Sequence, residues 1–573
     1  MRPVNIANSS GFYGDRLTAP REMLSGELPV DVLTGDYLAE LTMLILWKAQ
    51  QRDPDAGYAR TFLTQMEQVL GTCLDRGIKV VTNAGGLNPR ALADRLRELG
   101  ERLGVRLELA VVEGDDILDR IPELQQAGVP FSHLDSGVAL ADAGVKPATA
   151  NAYLGGWGIA TALAAGADVV VCGRVTDAAL TVGPAAWWHE WARDDWDALA
   201  GAVVAGHVIE CGPQTTGGNY PFLDELAPGY PGFPIAEVDA DGSCVITKQP
   251  GTGGAVTVGT VSAQLLYEID APRYASPDVV ARFDTIRLEQ VDRDRVRISD
   301  VRGEPPSRTL KVAINYPGGY RNTMTMVLTG LDIERKAAHA ETLLFEILGG
   351  REQFDAVDVQ LIGMDRLRVT VKDRDPGKVG RRFSNAVTEL ALASYAGFFT
   401  TTPPGPESEF GVYWPTLVPV HAVEHTVVLP DGTRVVIDPP PPPVLASAGR
   451  ALCDSVTPKR FVGTTDRVPL GAVCGARSGD KGGNANVGLW ARTDGAYEWL
   501  HAYLTVDRFR SLVPEAAALA IERYELPNLR ALNFVVKGLL GEGVASSVRY
   551  DPQAKGLGEY VRSRLVDVPI GLE

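Results

Sequence analysis

Cysteine is sparse and unpaired in this chain. Cys73, Cys172, Cys211, Cys244, Cys453 and Cys474 are scattered over 573 residues with no Cys-x-x-Cys spacing. That excludes a disulfide scaffold and a zinc ribbon, and it suits a reducing compartment. Positive charge is in deficit too, with 55 Lys+Arg against 72 Asp+Glu and a formal net charge of -17. A duplex binder needs clustered Lys and Arg to displace phosphate counterions; no window supplies them, so no nucleic-acid partner is expected. Long apolar runs are missing as well. Leu38–Trp47 is broken by Glu40 and Thr42, and nothing approaches the roughly 20 apolar residues of a membrane span. The opening Met1-Arg2-Pro3-Val4-Asn5 lacks the apolar segment of a secretory signal, so a cytoplasmic protein without membrane contact is expected. No Gly-x-Gly-x-x-Gly or Walker A string occurs, which disfavours a nicotinamide cofactor and a P-loop nucleotide.

What is present is ample core material, 45% hydrophobic against 22% charged residues, enough for two to four domains. Over residues 1–235, short β-branched runs end in Gly/Asn/Asp turns and are followed by helical stretches. Val4–Asn8, Ile78–Thr82, Leu107–Val112 and Asp168–Cys172 are the runs, and Ala91–Leu103 is the clearest helix. This order predicts an α/β domain with a parallel, doubly wound sheet. Residues 236–445 alternate in period two between turns and read as a strand-rich α+β segment, with helices near Glu334–Leu348 and Val379–Ala396. Five prolines, Pro439–Pro443, introduce a linker region over 446–465. Residues 466–573 then read as an α+β domain with helices on one face of an antiparallel sheet, with helical material expected at Val513–Arg523.

Three constellations can carry chemistry. The densest is Arg477-Ser478-Gly479-Asp480-Lys481-Gly482-Gly483-Asn484, read as a glycine-rich loop whose amides, with Arg477 and Lys481, hold a carboxylate or phosphate. The alternative is a polar hairpin in which Asp480 pairs with Arg477 or Lys481. The second is the set of turns at strand ends, where open α/β sheets bind ligands. Asn8-Ser9-Ser10-Gly11, Asn83-Ala84-Gly85-Gly86 and Gly173-Arg174-Val175-Thr176-Asp177 would share one crevice, with the helix after Asn88-Pro89 offering its free N–H groups. There Arg174 would hold an anion and Asp177 would move a proton, unless Asp177 merely caps the following helix. Asp15 and Asp115-Asp116 are candidates for a second carboxylate. The third is His207–Tyr220, with His207, Glu210 and Cys211 close together and Gln214–Asn219 as a substrate wall that includes Asn219. Cys211 reads either as a nucleophile paired with His207 or as a buried structural thiol. His421, Glu424 and His425 lack an evident third metal ligand, so no metal is expected. Trp187, Trp188, Trp191 and Trp196 suggest a subunit surface and hence a homo-oligomer.

Several of these strings carry a resemblance. Asn8–Arg16, Asp31–Glu40, Asn83–Pro89, Ala150–Gly156 and Gly173–Asp177 resemble the acyclic terpene utilisation (AtuA-like) family over about residues 3–445. Arg477–Gly482 is similar to that family's appended ferredoxin-fold domain. The resemblance implies a role in breakdown of citronellol- and geraniol-type compounds, whose intermediates are branched acyl-CoA thioesters, and it brings no established catalytic residues. The expectation is an enzyme that takes a small anionic substrate, a branched or isoprenoid acyl-CoA or its acid, through lyase- or hydratase-type proton transfer. No tightly bound cofactor is expected, with a CoA thioester as the possible substrate. The rival expectation is a non-catalytic binding or assembly subunit that partners acyl-CoA enzymes.

Overall fold

All-apolar strands such as Val169–Cys172 can be accommodated only where both sheet faces are covered. A computed structural model describes residues 2–440 and 464–572, and in it every residue of Val4–Asn8, Val32–Gly35 and Val169–Cys172 is buried. These strands lie in the middle of an eleven-stranded sheet. Its central five run parallel in the order Val4–Asn8, Val32–Gly35, Lys79–Thr82, Val169–Cys172, Leu109–Glu113. One face packs on helices Arg60–Arg76 and Pro89–Leu103 through Phe62, Met66, Leu92 and Leu96. Helices Ala179–His189 and Trp196–Ile209 also pack against the sheet strands.

The sheet is mixed, and here the expectation of a parallel N-terminal sheet is corrected. Antiparallel strands extend it on both sides: Pro234–Val238, Cys244–Lys248, Arg295–Ser299 and Arg287–Asp292 on one, Thr426–Val428 and Arg434–Val436 on the other. Period-two alternation identified those segments as strands, but alternation does not say which sheet a strand joins.

The chain divides into two compact units. One comprises residues 1–314, 414–541 and 553–573, so the first part of the strand-rich segment and the C-terminal domain fold together with the N-terminal α/β region. The other comprises residues 315–413 and 542–552. In that second unit, helices Ile333–Leu348 and Arg381–Ala393 cover a sheet through Leu344, Phe383, Val369 and Val371. Arg321, Arg368 and Lys372 donate to the carbonyls of Ser547, Val548 and Ser546. Most of the expected 446–465 linker, with Cys453, lies outside the described residues; Thr465–Pro469 is already a strand paired with Leu565–Pro569.

The C-terminal domain is a four-stranded antiparallel sheet in the order Cys474–Lys481, Asn484–Ala491, Ala531–Val536, Ile521–Leu526. Residues 513–523 contain only a short 3-10 turn, Pro514–Ala516, before the strand; the helices are Asp494–Tyr503, Val506–Leu512 and Leu557–Arg562. The expected long polar loop 477–484 is also corrected. It is two strands joined by Gly482-Gly483, with Gly482 at φ 62°, the positive region that tight hairpins require.

Alternation along these strands separates two faces. Cys474, Ala476, Ala485, Val487 and Leu489 enter the domain core. Arg477, Gly479, Asn486 and Gly488 face residues 219–268 of the same unit. A Cβ on Gly488 would stand 2.5 Å from the Leu266 Cβ, and one on Gly479 would stand 2.4 Å from the Tyr267 ring. Glycine therefore lets the sheet press directly on Leu266–Glu268. Gly488→Val is expected to cost about 1–3 kcal/mol through overpacking and to lower the melting temperature by several degrees. An unchanged melting curve would show that this contact is dispensable.

Candidate active site

Parallel strands deliver their C-terminal turns to one edge of the sheet, and four of those turns bring polar groups together there. Asn8 ends the first strand, Asp36 follows the second, Asn83 the third, and Gly173-Arg174 follows Val169–Cys172. Arg174 is buried. Its Nη1 donates to the Leu38 carbonyl at 3.1 Å and to Asp177 Oδ1 at 2.9 Å, and its guanidinium lies 4.1 Å from the centre of the Tyr153 ring. It is a clamp on Asp177 and on the chain at Leu38, already satisfied by internal partners.

Asp115 stands behind this clamp. Its Oδ2 accepts from the Arg174 N–H at 2.9 Å and from Asn151 Nδ2 at 2.8 Å. Any Cβ at 173 would come within 2.3 Å of Asp115 Oδ1, so close approach requires glycine there. Burial pushes the Asp115 carboxyl up to about 7, against the lowering effect of those two donors. Because the folded value exceeds the unfolded one of 3.8, its stability contribution is complete below pH 3.8 and is lost as pH rises through 7. Over that interval wild type is expected to lose about 4 kcal/mol relative to Asp115→Asn. Denaturant titrations of both proteins at pH 4 and pH 8 check this; parallel pH curves would refute it.

Asp36, Asp177 and Glu210 each bring a carboxylate oxygen to within 4.8 Å of the others. Asp36 Oδ1 accepts from Asn83 Nδ2 at 2.7 Å and from the Leu38 N–H at 3.1 Å. Glu210 follows helix Trp196–Ile209, and its carbonyl accepts from Asn8 Nδ2 at 3.1 Å. Burial, then the neighbouring Asp177 carboxylate, raises both Asp36 and Glu210 well above the ordinary carboxyl range. His207 lies one helical turn back, its Nδ1 3.4 Å from Glu210 Oε1. Its Nε2 is 3.0 Å from the Gln264 carbonyl, which can only accept, so the imidazole proton sits on Nε2 and Nδ1 presents a bare lone pair. Burial holds His207 down at about 4, consistent with a neutral ring.

The C-terminal domain adds cations, and Lys481 acts electrostatically on Glu210. Arg477 is 8% exposed; its Nη1 donates to the Asn219 carbonyl at 3.1 Å, while its buried Nε and Nη2 have no acceptor. Its guanidinium lies 4.7 Å from the centre of the Tyr267 ring. Lys555 Nζ donates to the Tyr267 hydroxyl at 2.7 Å, and the Tyr267 hydroxyl and Lys555 charge both act on the Glu268 carboxyl electrostatically. Glu268 adopts φ 54°, the left-handed region that costs a side-chain-bearing residue energy and that clusters at functional sites. The C-terminal domain holds it there: Asn486 Oδ1 accepts from the Glu268 N–H at 2.9 Å, and Asn486 Nδ2 donates to Leu266 at 2.7 Å. Burial raises the Glu268 carboxyl, and burial plus the Glu268 charge raises Asp480. Glu40 differs. Lys311 and Arg174 overcome its burial and hold it at about 2, and Tyr153 donates to it at 3.2 Å.

The structure therefore gathers Arg174, Asp177, Asn8, Asn83, Asn219, Arg477, Asp480 and Lys481 in one region. It gives the other expected residues local partners. Ser9 Oγ donates to the Thr34 carbonyl, Asp15 accepts from the Gly11 N–H, and Ser478 Oγ bridges Ala554 and Gly558. Asn484 joins Asp135 to Gly538, and Lys481 Nζ donates to the Glu268 carbonyl at 2.8 Å. Gly11 and Gly85 are close-approach positions, where a Cβ would fall 2.8 Å from the Cys211 carbonyl carbon and 2.4 Å from the Cys172 oxygen; Gly86 supplies φ 52°. The helix after Asn88 is capped by Asn88 itself, and Arg90 pairs with Glu113, so that end is closed by its own side chains. Burial and the Glu210 charge push the Cys211 thiol well up, opposite to what a nucleophile needs. Trp188 and Trp191 bond internally to the Arg2 and Ala240 carbonyls. His421, Glu424 and His425 line a separate cleft of about 540 Å³ with Trp157, Arg193 and Asp278. Asp36, Glu268, Tyr267 and Lys555 went unrecognised in the sequence; only Asp36, inside the string Asp31–Glu40, carried any signal.

Among the described residues, no helix is long and apolar enough to cross a membrane. Residues 4–429 match the family model described as acyclic terpene utilisation family protein AtuA, and residues 468–567 match the AtuA ferredoxin-like domain. No curated protein and no solved structure matches the chain.

Proposed function

The chain belongs to the acyclic terpene utilisation family AtuA, and on that footing we propose that it is an enzyme of branched, isoprenoid acid breakdown. It moves a proton at the carbon beside a carboxylate or an acyl-CoA thioester carbonyl, in hydratase- or lyase-type chemistry. The observation that carries this reading is Arg477, a buried cation with two donor nitrogens that meet no acceptor among the described residues. Burying such a group without a partner is costly, and an anionic ligand oxygen removes the cost.

Loss of a proton from that carbon leaves negative charge on the carbonyl oxygen, and fixed donors in a dry site stabilise it. Arg477 is that donor. Glu268 is the acid–base group. Its carboxyl holds a proton more tightly than an exposed glutamate, and Tyr267 and Lys555 connect it to further donors. In the hydration direction the C=C π bond breaks as Glu268 gives its proton to the α carbon and water oxygen bonds the β carbon, and the proton that water then sheds returns to the Glu268 carboxylate. Arg174 and Asn83 act as positioning residues for the carboxylates beside them.

A thermal-shift screen of branched, unsaturated acyl-CoA thioesters and their free acids, followed by turnover assays of the hits, tests the reading. A rise in melting temperature with turnover supports it. Binding without turnover would favour a binding subunit, and no shift with any of them would overturn the substrate class.

A further inference from the structure

We propose that Asp36, Asp177 and Glu210 hold a divalent cation, Mg²⁺ or Mn²⁺, beside the substrate position. The inference deepens the proposed function and rests on this cluster lying beside the substrate, but its test is independent of turnover.

The cluster is made of acceptors. Three carboxylate oxygens lie within 4.8 Å of one another. Glu210 Oε2 is buried without a donor, and the lone pair of His207 Nδ1, on a side chain 1% exposed, points at Glu210 with no donor of its own. The His207 lone pair lies outside the acidic trio and is a separate buried acceptor beside Glu210 that meets no donor among the described residues. Arg174 takes Oδ1 of Asp177 and leaves Oδ2 as a ligand atom. With an ion bound and all three carboxylates ionised, they and this guanidinium sum to -2, the charge that one divalent cation neutralises.

Geometry agrees. A six-coordinate ion with oxygens at about 2.1 Å holds neighbouring ligand oxygens about 3.0 Å apart and opposite ones about 4.2 Å apart, so three oxygens already within 4.8 Å of one another need only draw inward around the ion. Oxygen donors without a thiolate select Mg²⁺ or Mn²⁺ over softer metals. Asp177 is the most open of the three, with its side chain 33% exposed, and it leaves room for water or a substrate oxygen on the ion. This assigns Asp177, the residue the sequence marks for proton transfer, to charge placement instead.

The test is titration of the chelator-treated full chain with Mn²⁺ alone, followed by electron paramagnetic resonance and calorimetry, with Mg²⁺ as competitor. One Mn²⁺ per chain is expected, displaced by Mg²⁺ and weakened at least tenfold in Asp36→Asn and Glu210→Gln. Asp177→Asn, at the most open position, is expected to show the same weakening with an unchanged fold. Arg477→Met should retain Mn²⁺ binding whether or not the proposed substrate class is right, which separates failure of this inference from failure of that one. No Mn²⁺ bound by the wild-type chain, or equal binding in all three carboxamide variants, would overturn the proposal.

Discussion

Arg477→Met is expected to bind the anionic ligand at least about 30-fold more weakly, the low end of the roughly 2–5 kcal/mol lost when one member of a buried charged pair is removed. Its unliganded melting temperature should hold steady or rise. Those two results rarely coincide, and the reason is the guanidinium's situation. Burial lowers its pKa, with partial compensation from Tyr267, Cys211 and Glu268, and two of its nitrogens have no acceptor. Met keeps much of the aliphatic volume against Tyr267 and removes the unpaired charge. A destabilised variant with undiminished ligand affinity would mean that Arg477 is a structural residue, and the proposed reading would lose its support.

The second large effect is at Glu268. Glu268→Gln keeps the shape and the Tyr267 contact but cannot carry a proton. A loss of about 10²–10⁴-fold in kcat is expected, the usual range for a general acid–base group. Ligand binding in the thermal-shift assay should change little, and the limb of the kcat profile set by Glu268 should disappear. Glu268→Gly should lose turnover equally while gaining about 1 kcal/mol, because glycine takes positive φ without strain. Wild-type kcat in the Gln variant would remove Glu268 from the mechanism.

Chemistry written locally was legible in the chain. The strands Val4–Asn8 and Val169–Cys172 announce themselves by β-branched runs ending at Asn or Gly. Their turns did converge, because parallel strands present all their C-terminal ends to one edge. Arg174 and Asp177 were identifiable by spacing alone, three residues apart at such a turn, and they do pair. What that spacing could not reveal is that Arg174 is fully engaged by Leu38, Tyr153 and Asp177. Satisfaction depends on partners far away in the sequence.

The segment 477–484 shows the opposite error. Two cations, a carboxylate and three glycines look like a binding loop, yet the chain forms an ordinary hairpin there. Its glycines serve close packing on Leu266 and Tyr267, and of its charged groups Arg477 retains unpartnered nitrogens. Glu268 had no signal at all. It stands in an unremarkable stretch, and its left-handed backbone is imposed by Asn486, 218 positions away.

The amino-acid sequence by itself determined the β-branched strands of the N-terminal region, which turns carry polar groups, and which family the chain joins, since these are encoded by neighbours within a few residues. The tertiary structure alone decided that the C-terminal hairpin packs on residues 219–268, that Asp36 and Glu210 join Asp177, and that two nitrogens of Arg477 are left without an acceptor among the described residues. Charge burial and hydrogen-bond satisfaction are properties of surroundings assembled from distant positions, and no local pattern contains them.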